Sequence, residues 1–297
     1  MGEGRFGRLL TAMVTPFDDD GALDLDAATA LARWLSEHGS DGLVVAGTTG
    51  EGPVLSDTEK LELFRAVAAA VNVPVLAGTT GNNTAHDVAL TAEAAATGVA
   101  GILAVCPYYS RPSQAGIAAH LGAVADATEL PVVVYDIPVR TGRRIDPATL
   151  LGLAADHPNV VGVKDSSADL PGAAKLVAAR PGFDVYSGDD ALALPFLSIG
   201  GVGVISVAAH WCGTEFSRAL SLFAKGDLDA AIAQHAELLD SFSFESSERW
   251  PNPLPAKAVL RAGGHRVGHC RLPLGPGDAE LDAAARALAS RFPLLHA

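Results

Sequence analysis

The chain has 297 residues, 49% of them apolar, and its 34 carboxylates against 21 lysines and arginines give a net charge of −13. This length allows one large barrel domain or two ordinary domains with a sizeable core. An acidic surface repels phosphate backbones, and no basic run exceeds Arg143-Arg144, so we exclude nucleic acid as a partner.

The sequence shows no signal for export, membrane insertion or metal binding. The N-terminus lacks a basic segment followed by an apolar run, and the longest apolar stretches are strand-sized. We therefore expect neither a signal peptide nor a transmembrane helix. Cys106, Cys212 and Cys270 are odd in number and lack metal-type spacing, which favours a reducing compartment. These features predict a cytoplasmic protein without a metal.

Short apolar runs recur along the chain, each followed by an Ala/Leu-rich stretch of helical length. In chain order they cover residues 9–16, 42–50, 73–81, 101–109, 131–138, 159–167, 183–190 and 201–210. Their continuous apolar character is typical of strands buried on both faces, as in parallel sheets. Alternation with helices predicts a (β/α)8 TIM barrel. A doubly wound sheet is the alternative, although no GxGxxG follows the first strand.

The helical stretches carry apolar residues on one face, as in 57–71, where Asp57 is the expected N-cap. Strand-like runs stop after Thr214. We therefore expect residues 1–214 to form the barrel, with the active site at the C-terminal ends of its strands. Residues 215–297 are predicted to form a helical appendage packed on that barrel.

The ends of the predicted strands carry hydroxyls, one guanidinium and one amine. In chain order the candidates are Thr48, Thr49, Tyr108, Tyr109, Tyr135, Arg140, Lys164, Gly188 and Asp189. Because the C-terminal strand ends of a TIM barrel meet at one rim, we expect these residues to lie close together.

Lys164 is the strongest individual candidate, since it follows the buried run 160–163. Ammonium groups are rarely buried without a function. Burial disfavours the charged form and so favours the neutral amine that attacks a ketone. The alternative is a lysine that reaches solvent or pairs with Asp165.

Three other candidates each have a structural alternative. Tyr135 could serve the proton transfers of imine chemistry or be a core aromatic with a satisfied hydroxyl. The turn 47–51 suits a carboxylate, although a second GTTG at 78–81 makes this tetrapeptide weak evidence. Arg140 could bind a second carboxylate or simply lie on the surface.

Several segments, in order and at strand ends, resemble one known family. They are 47-GTTGE-51, 107-PYYSRPSQ-114, 135-YDIPVRTG-142, 163-VKD-165, 187-SGDD-190 and 204-VISV-207. The family is the pyruvate-dependent class I aldolases of the dihydrodipicolinate synthase and N-acetylneuraminate lyase group. The resemblance runs through nearly the whole chain, from 11-TAMVTPF-17 to 252-NPLPAK-257 and 271-RLPL-274.

The resemblance implies roles for the catalytic candidates. Lys164 would form a Schiff base with pyruvate. Tyr135 would donate and accept protons, relayed through Thr48 and Tyr109. In the family, the tyrosine at the position of Tyr109 reaches in from a neighbouring subunit of a dimer within a tetramer. The resemblance therefore also implies a homotetramer built as a dimer of dimers.

It implies substrate-binding roles as well. Thr49 would hold the pyruvate carboxylate, Arg140 the carboxylate of the aldehyde, and Gly188 with the Ile205 main chain would line the pyruvate pocket. Synthases of this group carry an arginine at position 140, whereas sialic acid lyases resemble the motif without it. An acceptor with its own carboxylate, aspartate-4-semialdehyde, is therefore implied, in lysine and diaminopimelate biosynthesis without metal or organic cofactor.

Two further hypotheses stay open at this point. One is another pyruvate-dependent lyase, aldolase or dehydratase that acts on a 2-oxo-sugar acid. The other is a catalytically silent paralogue with a binding or assembly role, against which the retained Lys164, Tyr135 and Arg140 argue. Residues 52–53 and 165–169 depart from the usual synthase pattern, and Asp136 replaces a frequent asparagine.

Regulation by lysine is expected to be weak or absent. Lys60 and His86 stand where lysine-sensitive relatives of the group carry a His and a Glu. A cation at both positions would suit the ammonium group of lysine poorly.

Overall fold

A computed structural model describes residues 2–245 and 247–296, and its eight parallel strands close into a barrel in chain order. This confirms the predicted TIM barrel. The strands are β1 (Leu9–Ala12), β2 (Gly42–Val45), β3 (Val75–Gly78), β4 (Gly101–Val105), β5 (Val132–Asp136), β6 (Val160–Asp165), β7 (Asp184–Ser187) and β8 (Gly203–Ser206).

Helices follow the strands and cover the barrel. They are α1 (Leu25–Glu37), α2 (Asp57–Ala70), α3 (Thr84–Ala95), α4 (Gln114–Asp126), α5 (Pro138–Thr141), α6 (Pro147–Asp156), α7 (Leu170–Ala179), α8 (Ala193–Ser198), α9 (Ala209–Ala224), α10 (Leu228–Phe244), α11 (Leu254–Ala262) and α12 (Ala279–Ala289). Short 3₁₀ turns lie at Gly52–Val54, Asp190–Leu192 and Pro293–His296. Among the described helices, none is long and apolar enough to cross a membrane.

Two apolar clusters account for the core, one inside the barrel and one between the strands and the helices. Successive side chains of a strand point to opposite faces. Val134 and Val204 pack outwards against helices, whereas their neighbours Tyr135 and Ile205 belong to the interior cluster. By the same alternation, Val163 packs outwards and Lys164 points into the barrel. Strand register thus aims the candidate groups at the interior.

The N-cap predicted for the second helix was wrong by one residue. Ser56 Oγ accepts a hydrogen bond from Glu59 N at 3.2 Å, and the Glu59 carboxylate accepts one from Ser56 N at 2.8 Å. This reciprocal pair is a capping box, which satisfies two backbone donors at the start of a helix. Asp57 is therefore the first helical residue.

The C-terminal part of the chain is helical. α9 contacts β1, α10 packs on α9, and α11 packs on both α9 and α12. Residues 251–257 and 265–274 return to the rim of the barrel near the turn that follows β2. The division of the chain at residue 214 into barrel and appendage stays a prediction.

Candidate active site

Lys164 and Tyr135 lie side by side in the barrel interior. They are register partners on β6 and β5, and both side chains are about 4% exposed. The Lys164 Nζ lies 4.4 Å from the centroid of the Tyr135 ring. An ammonium at this distance from an aromatic face is attracted by the ring quadrupole. The structure therefore brings together the amine and the phenol predicted from the sequence.

Gly188 lies directly against Lys164. A Cβ at this position would come within 3.1 Å of Lys164 Cε and would overlap Ser166 Oγ. The Gly188 N–H donates to Asp165 O at 2.7 Å, which ties the residue to the end of β6. Glycine therefore fits here without displacing the Ser166 hydroxyl or crowding the lysine. Ile205 is fully buried on β8, in the same interior cluster as Tyr135.

The turn 47–51 carries Thr48 and Thr49 above the end of β2. Thr48 is half-buried, whereas Thr49 is buried, with 3% of its surface exposed. Ala46 and Glu51, on either side of the threonines, have left-handed backbones with φ values of 54° and 55°. Such conformations are costly for residues other than glycine and persist where surrounding contacts hold them.

Asn252 joins two of the predicted substrate-binding residues. Its Nδ2 donates to Thr49 Oγ1 at 3.0 Å, across 203 positions of sequence, and its carbonyl accepts from Arg140 Nη2 at 3.4 Å. Sequence reasoning missed Asn252 as a site residue, although it begins the 252-NPLPAK-257 segment. Its place in this segment, which is part of the family resemblance, could have marked Asn252 as a candidate.

Tyr109 and Arg140 project from the rim of the barrel. Tyr109 has a left-handed φ of 70° and a side chain that is 91% exposed. Arg140 lies on the four-residue helix α5 and is also exposed. Thr48, Tyr135, Tyr109 and Arg140 all line one cavity of about 690 Å³. Lys164, Thr49, Gly188 and Ile205 are not among its lining residues.

Three carboxyl groups interact electrostatically with one another near the barrel, and one of them, Glu245, also senses the Lys164 charge. Burial, together with the Asp190 and Asp189 charges, raises the pKa of Glu245 well above its usual range, and the Lys164 charge opposes this shift. Asp190 Oδ2 accepts hydrogen bonds from Ser206 Oγ, Val207 N and Ala208 N at 2.8 to 3.1 Å. The protonated form of Glu245 is thus favoured near an Asp190 carboxylate that these hydrogen bonds anchor. Sequence reasoning did not identify it, because nothing local marks its burial.

Within residues 2–245 and 247–296, no three His, Cys, Asp or Glu side chains converge as a metal site would require. The side chains that converge in the barrel are instead one amine, hydroxyls and a guanidinium at the rim. Such a set can bind carboxylates and form an imine with a carbonyl compound.

Comparison with known proteins decides the family. The family model described as the dihydrodipicolinate synthetase family matches residues 5–291. The chain belongs to this family. A 4-hydroxy-tetrahydrodipicolinate synthase of Moorella thermoacetica is 49% identical over 96% of this chain and 98% of its own length.

Solved structures of the family superpose over nearly the whole chain. A dihydrodipicolinate synthase of Cyanidioschyzon merolae with lysine bound has a TM-score of 0.93 and 42% identity, covering 97% of this chain and 98% of its own. A structure described as the first monomeric dihydrodipicolinate synthase variant has a TM-score of 0.91 and 34% identity, covering 97% of each chain. The recognised family and the barrel fold therefore agree.

Proposed function

We propose that the protein condenses pyruvate with aspartate-4-semialdehyde to give 4-hydroxy-tetrahydrodipicolinate, through a Schiff base on Lys164. The observation that carries this proposal is the buried amine of Lys164 beside the Tyr135 ring, at the end of β6. Membership of the dihydrodipicolinate synthetase family supports the same reaction. The product belongs to lysine and diaminopimelate biosynthesis.

The reaction begins when the Lys164 amine, after losing its proton, attacks the keto carbon of pyruvate. The resulting carbinolamine loses water to give the imine, and loss of a methyl proton then gives the enamine. The enamine carbon attacks the aldehyde, and the semialdehyde amine displaces Lys164 to close the ring. Nucleophilic catalysis of this kind divides one difficult step into several easier ones.

Tyr135 is the proposed proton donor and acceptor in these steps. Each stage moves a proton to or from the carbinolamine oxygen or the enamine carbon, so a positioned hydroxyl accelerates it. The proposed relay leads through Thr48, which lines the same cavity as Tyr135, and then through Tyr109 of a neighbouring subunit. The 91% exposure of Tyr109 supports its contribution to the site of a neighbouring subunit.

The remaining candidates are proposed to bind the substrates. Thr49 holds the pyruvate carboxylate, and its hydroxyl is oriented by Asn252. Gly188 and the main chain of Ile205 line the pyruvate pocket beside Lys164. Arg140 binds the carboxylate of the semialdehyde, since a guanidinium can form a bidentate pair with a carboxylate. An acceptor without a carboxylate, such as many sugar aldehydes, would leave the Arg140 guanidinium without a carboxylate partner.

We also propose that the enzyme works in the cytoplasm as a homotetramer built from two dimers. The three cysteines are free and buried, as suits a reducing compartment. Two large side chains that follow neighbouring strands are strongly exposed, Tyr109 at 91% and Val139 of α5 at 85%, which supports an interface at this rim.

The test is a coupled assay with pyruvate and aspartate-4-semialdehyde, together with borohydride quenching and intact-mass analysis. We expect turnover and a single reduced pyruvate adduct on Lys164. Lys164→Ala should form no adduct and lose several orders of magnitude in rate, because the nucleophile defines the pathway. The matched control is Lys175→Ala, which removes an exposed lysine of α7.

The other results separate the hypotheses. An adduct without turnover would redirect the search to cleavage of 2-keto-3-deoxy-sugar acids. A protein that gains no mass would be a silent paralogue. An adduct retained by Lys164→Ala would show that another lysine is the nucleophile.

A further inference from the structure

A buried ion pair links the C-terminal helices to the turn that carries Thr48 and Thr49. The Lys257 Nζ of α11 lies 2.7 Å from Glu51 Oε1, and both side chains are at most 1% exposed. The same ammonium donates to His269 O at 3.0 Å and lies 4.1 Å from the centroid of the Phe17 ring. Its position is therefore set from several sides.

Both the side chain and the backbone of Glu51 are held by hydrogen bonds. Its second carboxylate oxygen accepts a hydrogen bond from Arg271 N at 2.8 Å. Its backbone N–H donates to Thr48 O at 3.1 Å, and its φ of 55° is left-handed. Because a non-glycine residue keeps this conformation only when contacts hold it, the carboxylate contacts determine the shape of the turn.

Arg271 extends the same contact network around Glu51. Its Nε donates to Gly21 O at 2.8 Å, and its Nη1 donates to Val54 O at 3.1 Å. Its guanidinium also lies 4.2 Å from the Phe17 ring, which is thus contacted by two cations. The network therefore reaches the turn from residues 257–271, far away in sequence.

Energetics argue that this pair does more than stabilise the fold. Removing two charges from water costs several kcal/mol per ion, and apolar replacements of buried pairs are often neutral or stabilising. A buried ion pair is useful to a protein where it specifies the geometry of a nearby segment. Here the geometry is that of the turn whose Thr49 is proposed to hold the pyruvate carboxylate.

We propose that Glu51 and Lys257 are positioning residues, which hold the turn 47–51 in the conformation that binds the carboxylate of the 2-oxo acid. This inference rests on the proposed function, because it assigns the turn to pyruvate. It makes the helices after the barrel a part of the site, although neither residue touches the reacting atoms.

The test compares wild type with Glu51→Gln, Lys257→Met and the double variant Glu51→Gln/Lys257→Met. Glutamine keeps the shape of Glu51 and its acceptor for Arg271 N, and methionine keeps the length of Lys257 without its charge. Each variant is measured for thermal midpoint, for kcat, and for KM of pyruvate, with the rate of borohydride-trapped adduct as a second readout.

We expect each single variant to lose stability, because it leaves one buried charge unpaired. The double variant should recover most of the thermal midpoint. Its KM for pyruvate should nevertheless stay roughly 10- to 100-fold above wild type, with a smaller change in kcat, since small displacements of binding groups carry penalties of this size. Arg291→Met, which breaks an exposed pair with Asp240, is the control and should match wild type.

The double variant distinguishes positioning from simple structural support. If its KM returns to the wild-type value together with its thermal midpoint, the pair only stabilises the fold and the inference is overturned. If wild type itself forms no pyruvate adduct, the proposed function fails and the inference falls with it. A wild-type adduct with unchanged KM in every variant overturns the inference alone.

Discussion

At the scale of single residues, Asp136 is a buried carboxyl group next to the proposed proton donor. It follows Tyr135 on β5, is 3% exposed, and accepts a hydrogen bond from Ile145 N at 3.2 Å. Burial raises the pKa of Asp136 from its usual 3.8 to about 7, and the nearby Asp165 charge adds to this shift. The folded protein therefore holds this proton more tightly than the unfolded chain does.

Replacement of Asp136 by asparagine is expected to stabilise the protein at alkaline pH. Since the folded pKa lies above the unfolded one, the carboxyl contributes stability at low pH that is lost as the pH rises from about 4 to about 7. An amide keeps the acceptor for Ile145 N and carries no charge. Asp136→Asn should raise the free energy of unfolding by roughly 2 to 4 kcal/mol at pH 8.

Denaturant unfolding at pH 5 and pH 8 measures this effect. The gain of Asp136→Asn over wild type should be smaller at pH 5. A gain of equal size at both pH values would mean that the carboxyl does not titrate between them. The exposed Asp20, in the turn before α1, provides the control Asp20→Asn, which should leave the free energy of unfolding unchanged at both pH values.

At the scale of elements, the first turns of α2 and α3 bring Lys60 and His86 to the wall of the site cavity. His86 Nε2 lies 2.8 Å from Asp57 and its Nδ1 lies 3.1 Å from Asp87. Hydrogen bonds to these two carboxylates raise the pKa of His86, whereas burial lowers the pKa of Lys60. Asp57 and Asp87 are thus already paired with His86.

Inhibition by lysine is therefore expected to be weak or absent, because the ammonium group of lysine would meet the basic side chains of Lys60 and His86 and carboxylates that are already paired. A titration of lysine into the coupled assay measures this, and inhibition in the micromolar range would contradict it. The double variant Lys60→His/His86→Glu restores the residues of lysine-sensitive relatives and should increase sensitivity. Thr58→Ala, which changes an exposed neighbour on α2, should leave the response as in wild type.

At the scale of the whole molecule, the role proposed for the exposed Tyr109 across an interface would make activity depend on a partner subunit. A hydroxyl that reaches across an interface completes the site of another chain. A similar structure is described as a monomeric variant, so family membership does not by itself determine the oligomeric state. A monomeric preparation of this protein is expected to lose most of its activity.

Subunit complementation tests this directly. Lys164→Ala and Tyr109→Phe subunits are each expected to be nearly inactive alone. When the two are co-expressed, a mixed dimer would contain one site with an intact Lys164 and an intact Tyr109 from its partner, so activity should reappear. If Tyr109 acts within its own chain, no mixed dimer has a complete site and activity stays absent.

The fold and the chemically active strand ends were predictable from the sequence because their signals are local. Continuous apolar runs mark buried parallel strands, and the barrel brings their C-terminal ends to one rim. Lys164 and Tyr135 lie near the ends of two neighbouring runs of this kind, so their proximity follows from the register of the strands. The N-cap at Ser56 was missed because Asp57 is equally suited to that position on sequence grounds.

Sequence by itself determined the barrel, the family and the amine with its neighbouring phenol, since periodicity and strand-end position depend on adjacent residues. Tertiary structure alone decided that Asn252 orients Thr49, that Lys257 pairs with Glu51, and that Asp136 is buried enough to hold its proton. The first of these contacts joins residues 203 positions apart. Contacts between residues so far apart in sequence, and the burial of such residues, depend on how the helices pack over the barrel. Local sequence patterns do not encode that packing.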